Sequence, residues 1–233
     1  MAVTVFPFIF NMYTTKIKFT AFSIAWTEGG IMHLDIKASA GSKISIAWGN
    51  GSTTSHTFLT DSKMQFKNDY FPKRIKPPDG LWFQVEISAE NPDCRIIGFS
   101  IDADMGAENL DVSNCPELEE LNYSYYAHSE TCNLDLSRNT ALKYLNCVNN
   151  GFTSLDLSNN TALEVLSCRG NRLSYLSLTS NYLLEELNCE YNGMKQLFIG
   201  YAPQLREVAF EEGNHIDEAT KRQIQVIIAE NQT

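Results

Sequence analysis

Three consecutive stretches decide the fold: LDLSRNTALKYLNCVNNGFTS from Leu134, LDLSNNTALEVLSCRGNRLSY from Leu155 and LSLTSNYLLEELNCEYNGMKQ from Leu176. The pattern L-x-x-L-x-C-x-x-N-x-Z-x-x-L, with Z apolar, runs through all three without a gap. Looser copies flank them, LDVSNCPELEELNYSYYAHSETCN from Leu110 and LFIGYAPQLREVAFEEGNHI from Leu197, so the starts lie 24, 21, 21 and 21 residues apart. Such a fixed period marks a chain wound into stacked coils, each unable to bury its apolar side alone. In Leu142, Leu145 and Cys147 the apolar residues first skip two and then alternate. This predicts a short strand that sends Leu145 and Cys147 inward and leaves Tyr144, Asn146 and Val148 outward. Strands of successive coils should pair in parallel ~4.8 Å apart. Asn150, Asn171 and Asn192 then share one column, where a buried amide can bond backbone groups at the turn after the strand. The Ser-x-Asn-Thr segments are turn formers. With 21 residues per coil, extended or 3₁₀ structure is expected on the far side rather than a full helix.

On these motifs the units resemble leucine-rich repeats, specifically the short Cys-containing kind of Bacteroidetes surface proteins, and in overall shape those of internalins. The resemblance covers residues 110–216. It implies a non-enzymatic protein-interaction module on the bacterial cell surface or secreted. The end units depart from the pattern. The first has Tyr123 in the Cys position and a three-residue insertion, and the last has Phe210 there, with Asn214 one residue late. Atypical end units are expected where a solenoid is capped. Asp217 to Glu230 reads as a capping helix, with acids at its start and Ile224, Ile227 and Ile228 as its apolar stripe.

Residues 15–109 contain strand-like runs without a period: KIKFTAFSIAW, MHLDIKAS, KISIAWG, LWFQVEIS and CRIIGFSID. Asn50-Gly51-Ser52 is a hairpin signal, and Pro72, Pro77, Pro78 and Gly80 break the chain. An antiparallel β-sandwich of six or seven strands is expected over 1–109, followed by a right-handed solenoid and cap over 110–233. ISIAWGNGS resembles the hairpin of PKD-like modules, with Asn50 in place of the usual Asp. The sandwich would shield the first coil's apolar end.

Charge supports this division. The 233-residue chain has a net charge of −10, and residues 1–109 hold 10 basic against 11 acidic residues, while residues 110–233 hold 8 against 17. Such an acidic chain is not expected to bind nucleic acid. The 43% hydrophobic content excludes a disordered chain. No apolar run approaches the ~20 residues of a membrane span. Val3 to Phe10 has no preceding Lys or Arg and no following cleavage site, so it is not read as a secretory signal. It either covers an edge of the fold, or stands where a leader has been replaced, or the protein stays inside the cell.

No motif of nucleophilic, phosphate-binding or metal chemistry is present, so neither catalysis nor a cofactor is expected. A straight column of Cys147, Cys168 and Cys189 cannot converge on a zinc ion and is set too wide for disulfides. It reads as buried small hydrophobes. Cys94, Cys115 and Cys132 are less constrained, and a disulfide among them stays open. So does a calcium site at Asp102, Asp104 and Glu108. The binding surface is expected on the outward strand positions: Tyr144, Asn146 and Val148; Val165, Ser167 and Arg169; Glu186, Asn188 and Glu190; Glu207 and Glu211 with Ala209. These side chains should pack against nothing in their own coil. The carboxylates Glu186, Glu190, Glu207 and Glu211 gather on adjacent strands, which fits either a basic protein or peptide partner or a solvated acidic face. Tyr125, Tyr126 and His128, in the insertion, form a second contact candidate. The alternative is a carbohydrate-binding module in which Tyr125, Tyr126, Tyr144 and Trp82 stack on sugars. Five coils make a stack only ~20–25 Å long, which favours a small epitope or a self-associated pair. No oligomeric state follows from the sequence.

Overall fold

The structure, a computed structural model, describes residues 15–23, 32–48, 51–68, 81–102, 106–124 and 133–231. It is mainly β. The strands of the first half are β1 (Lys16–Ser23), β2 (Met32–Ala38), β3 (Lys43–Ala47), β4 (Thr53–Thr57), β5 (Ser62–Asn68), β6 (Leu81–Ala89), β7 (Ile96–Asp102) and β8 (Gly106–Asp111). One antiparallel sheet has the order β4-β3-β6-β1-β8, and β7-β2-β5 form the antiparallel part of a second. Alternation of apolar and polar residues drives their packing: Leu34, Ile36 and Ala38 of β2, Ile44 and Ile46 of β3, and Val85 and Ile87 of β6 are all buried. Trp48 and Phe58 fill the space between them, and the buried indole donates from Nε1 to Thr54 Oγ1 at 2.9 Å. The hairpin expected at Gly51-Ser52 joins β3 to β4, with Gly51 at φ 87°. The described residues of this half hold eight strands, where six or seven are expected. The reason is that SKMQFKN and GAENLD are mostly polar runs; β5 buries only Phe66 among its described side chains.

The coils follow. Their strands are β9 (Glu120–Tyr123), β10 (Tyr144–Asn146), β11 (Val165–Ser167), then β12 (Tyr175–Leu178), β13 (Glu186–Asn188), β14 (Gln196–Ile199) and β15 (Glu207–Ala209). β9, β10, β11, β13 and β15 pair in parallel and in register, Tyr144 beside Val165 and Val165 beside Glu186. On the far side the chain runs through turns and extended segments, with β12 and β14 forming a small parallel sheet. The capping helix α1 (Glu218–Asn231) starts one residue after Asp217, whose Oδ1 accepts the amides of Ala219 and Thr220 at 2.9 Å each.

The first coil is not merely shielded. β9 pairs in parallel with β7, Gly98 beside Glu120 and Ile101 beside Tyr123, so a single eight-stranded sheet runs β15-β13-β11-β10-β9-β7-β2-β5. Residue 109 lies inside β8, which pairs with β1. Beneath this sheet the buried apolar residues of both halves form a continuous core.

Two asparagine columns lace the coils together. Asn171 donates to the carbonyls of Cys147 and Cys168 at 2.9 and 2.8 Å, and its Oδ1 accepts the amides of Asn150 and Phe152 at 3.0 Å each. Asn192 repeats the donation to Cys168 and Cys189. Asn214, one residue late, still reaches the column and donates to Cys189 at 2.9 Å, with Gly213 at φ 66° taking up the extra residue. The second column, Asn139, Asn160 and Asn181, sits in the segments read as turns. Each is buried and donates to two carbonyls of the preceding coil, Asn160 to Leu136 and Asn139 at 3.1 and 2.8 Å. At the C-terminal end Asn231 of α1 takes the corresponding role, donating to Ala202 and Leu205.

Candidate functional site

The outward faces of β10, β11, β13 and β15 line a shallow trough of about 600 Å³. It brings together Tyr144, Val165, Ser167, Glu186, Asn188 and Glu207 from the expected set, with Ala209 beside them. Its floor is set by the inward residues: Leu145, Leu166 and Leu187 are buried, as are Cys147, Cys168 and Cys189. Burial pushes the Cys168 thiol up to about 12 and those of Cys147 and Cys189 well above the usual range, so the column is unreactive packing. Tyr144 is 40% exposed, the large aromatic surface in the trough.

Of the expected set, Asn146, Val148, Arg169, Glu190 and Glu211 are not among its lining residues. Asn146 and Asn188 are partly used by the fold, contrary to the expectation that outward side chains serve nothing in their own coil. Each Oδ1 accepts the amide two residues on, Val148 and Glu190, at 3.3 Å, which closes the exit from the strand. Val148 is half-buried, and its carbonyl accepts from Asn150 and Ser124. Glu211 is exposed.

Three of the four gathered carboxylates already have cations from this chain. Arg206 donates to Glu186 at 3.2 Å and pairs with Glu185 at 2.8 Å, and those contacts raise its guanidinium above its ordinary range. Arg169 approaches Glu190 at 3.6 Å, and Lys221 of α1 approaches Glu211 at 3.8 Å. Glu207 has no ion pair among the described residues. The cross-strand repulsion between Glu186 and Glu207, neighbours in register, is therefore only partly relieved within the chain.

Arg169 also lies over the ring of Tyr191, 4.5 Å from its centroid, and the Tyr191 hydroxyl donates to Glu212. That hydrogen bond, with the negative charge behind it, raises the Tyr191 phenol above its ordinary range. Tyr191 stands at φ 54°, at the place in the coil held by Asn149 (φ 59°) and Gly170 (φ 71°). A ring-bearing residue in the left-handed region is uncommon and marks a position held by its surroundings. Sequence reasoning missed Tyr191, Arg206 and Lys221, although the 21-residue period sets Arg206 beside Glu185 and Tyr191 in a column of Asn and Gly.

On the opposite face, Tyr175, Tyr182, Phe198 and Tyr201 are exposed, Tyr201 to 82%. A groove of about 270 Å³ separates β14 from α1, lined by Gln196, Phe198, Thr220 and Gln223 among others. At the other end of the long sheet, Gly98 leaves a notch of about 160 Å³ bordered by Lys37, Lys63, Glu120 and Tyr144.

Tyr125, Tyr126, His128 and Cys132 lie outside the described residues, as do Asp104 and the stretch Val3 to Phe10, and the side chains of Trp82, Asp102 and Glu108 are not described. Cys94 and Cys115 are buried free thiols, with burial raising Cys115 to about 12. Among the described residues no three His, Cys, Asp or Glu side chains gather as a metal site, and no helix is long and apolar enough to cross a membrane.

No protein-family model matches the chain, and no curated protein matches it. Among solved structures it is similar to the functional domain of InlJ from Listeria monocytogenes, which includes a cysteine ladder. The likeness is 26% identity over 48% of this chain and 29% of that one, with a TM-score of 0.36. The chain thus spans less than a third of that chain's length.

Proposed function

We propose that this chain is a non-enzymatic protein-interaction module, secreted or held at the bacterial cell surface, that docks a protein partner on the outward strand face of its solenoid. One observation carries the reading: the trough gathers Tyr144, Val165, Ser167, Glu186 and Glu207, side chains whose identity the fold does not require, over a floor whose identity it does. Exposed side chains free of structural duty on a rigid ladder are where recognition is built. Residues 1–109 act in this reading as the unit that holds the ladder's first strand, and residues 110–233 as the recognition unit. The partner need supply few cations, because three of the carboxylates have their own. Glu207, with no ion pair, and Tyr144 become the residues to change.

The test is a binding screen against extracellular proteins and glycans, with wild type run beside a Tyr144→Ala/Glu207→Lys variant of unchanged melting temperature. A protein bound by wild type and lost by the variant supports the reading. A protein bound equally by both places the contact elsewhere, the segment of Tyr125, Tyr126 and His128 being next. The exposed ring of Tyr144 also favours a second reading, stacking on a sugar, which a glycan hit in the same screen would support.

A further inference from the structure

The outward face does not stop at the first coil. In register, the row holding Glu207 of β15 and Glu186 of β13 continues through Val165 and Tyr144. It then crosses Glu120 of β9 and Gly98 of β7 to Lys37 of β2 and Lys63 of β5. Seven strand intervals at ~4.8 Å give a face ~34 Å long. Its two ends have opposite charge. Its middle has a half-buried, outward-facing aliphatic side chain, Val165, on one side and the Gly98 notch at the matching distance on the other. A side chain at residue 98 would sit 3.1 Å from Lys37 Cβ and 3.4 Å from Glu120 Cβ, so the notch is kept open by the absence of one.

Such a row is its own complement when reversed. A two-fold axis lying in the interface and running along the strands sets Glu207 against Lys63 of a second copy and Glu186 against Lys37. Val165 then meets Gly98, and Tyr144 meets Glu120. We propose that the partner of this face is a second copy of the same chain, packed face to face about that axis. The inference rests on the outward strand face being the interaction surface, and it names the partner. Long-range charge favours the same arrangement. It lays the strongly acidic solenoid half of one copy over the nearly neutral sandwich half of the other, whereas the unreversed stacking opposes acid to acid. The existing pairs of Lys37 with Glu120, Lys63 with Asp35 and Glu186 with Arg206 are surface pairs, with each lysine and Glu186 more than a third exposed. Exchanging them across an interface therefore costs little. Facing sheets pack turned by about 30°, an offset that lysine and glutamate side chains can span. The face is small for a specific interface, so the pair should be weak and salt-sensitive.

Sedimentation velocity of the full chain tests this, across a concentration series at low and high salt. Wild type should shift from monomer to dimer with concentration, less so in salt. Glu186→Lys/Glu207→Lys gives a face basic at both ends, and Lys37→Glu/Lys63→Glu one acidic at both ends; each should remain monomeric. Mixed together they should form a 1:1 heterodimer, and the four-fold swap should dimerise again, which a folding defect could not produce. A wild type that stays monomeric throughout overturns the proposal, as does a dimer indifferent to both variants. If wild type is monomeric but the Tyr144→Ala/Glu207→Lys variant loses a foreign protein in the screen above, the face stands and self-pairing falls. If the screen fails as well, both fall.

Discussion

Asn171 and Asn160 each recur once per coil in the sequence, yet they carry different loads. Asn171 satisfies two carbonyls and two amides, whereas Asn160 satisfies two carbonyls and leaves its own Oδ1 buried without a partner. An unmade buried hydrogen bond costs about 1–3 kcal/mol per group. Asn171→Ala should therefore lower stability by roughly 4 kcal/mol and Asn160→Ala by about 2 kcal/mol, since the latter also removes an unsatisfied oxygen. Urea titration of both variants checks the order, and equal losses would show that the two columns are equivalent. The first column was legible because its Asn follows the Cys at a constant interval. The second was hidden among Ser and Thr, whose turn chemistry accounts for the same residues without any burial. Tyr191 is the opposite case, a side chain the fold does not want. Tyr191→Gly relieves the left-handed backbone at the loss of the Arg169 stacking and the Glu212 hydrogen bond, both exposed. The variant should melt higher than wild type. Weaker partner binding in the same protein would mark Tyr191 as strain retained for recognition.

At the scale of elements, the strands with alternating apolar residues were readable and the polar ones were not. β5 and β8 are held by neighbours rather than by their own pattern, and no local signal in SKMQFKN or GAENLD reports that β2 and β1 lie alongside. The capping helix was readable to within a residue because Asp217 combines an N-cap with a following apolar stripe. That cap has a pH signature. Hydrogen bonds from the Thr220 amide and hydroxyl hold the Asp217 carboxyl below its ordinary value of 3.8. A carboxylate with a depressed folded pKa stabilises the folded state fully above its unfolded pKa, and the contribution fades as pH falls through the folded one. Asp135 and Asp156, lowered by Ser137 and Ser158, act in the same window. Asp217→Asn keeps an acceptor for the helix amides and removes the titration. Its melting temperature should stay near wild type at neutral pH and fall less steeply below pH about 4. A parallel decline in the two proteins would mean that the cap does not contribute to the acid response.

For the whole molecule, the question is whether the two charge regimes of the sequence are two folding units. The change of composition near residue 109 separates a nearly neutral half from an acidic one, but hydrogen bonds do not respect that line. The amide of Glu119 donates to the carbonyl of Ile97 at 2.7 Å, and β9 continues the ladder from β7 in register. A solenoid whose first strand lacked β7 would present an open edge and an uncovered apolar end, so its stability should depend on the sandwich. Local patterns could not reveal this, because the parallel β7–β9 pair joins a strand of the repeat to β7, which lies about twenty residues earlier in a run with no period. The chain supplies a separate reporter for each half. Its three tryptophans, Trp26, Trp48 and Trp82, all precede residue 109, while Cys147, Cys168 and Cys189 lie in the coils. In urea, tryptophan fluorescence and thiol labelling at the buried column should therefore give coincident midpoints, the mark of a single cooperative transition. If the thiols become reactive at a lower urea concentration than the fluorescence change, the solenoid unfolds on its own and residue 109 is a true domain boundary. The reverse order would make the solenoid the stable part and the sandwich its dependent cap, because a ladder five coils long would then need no borrowed strand.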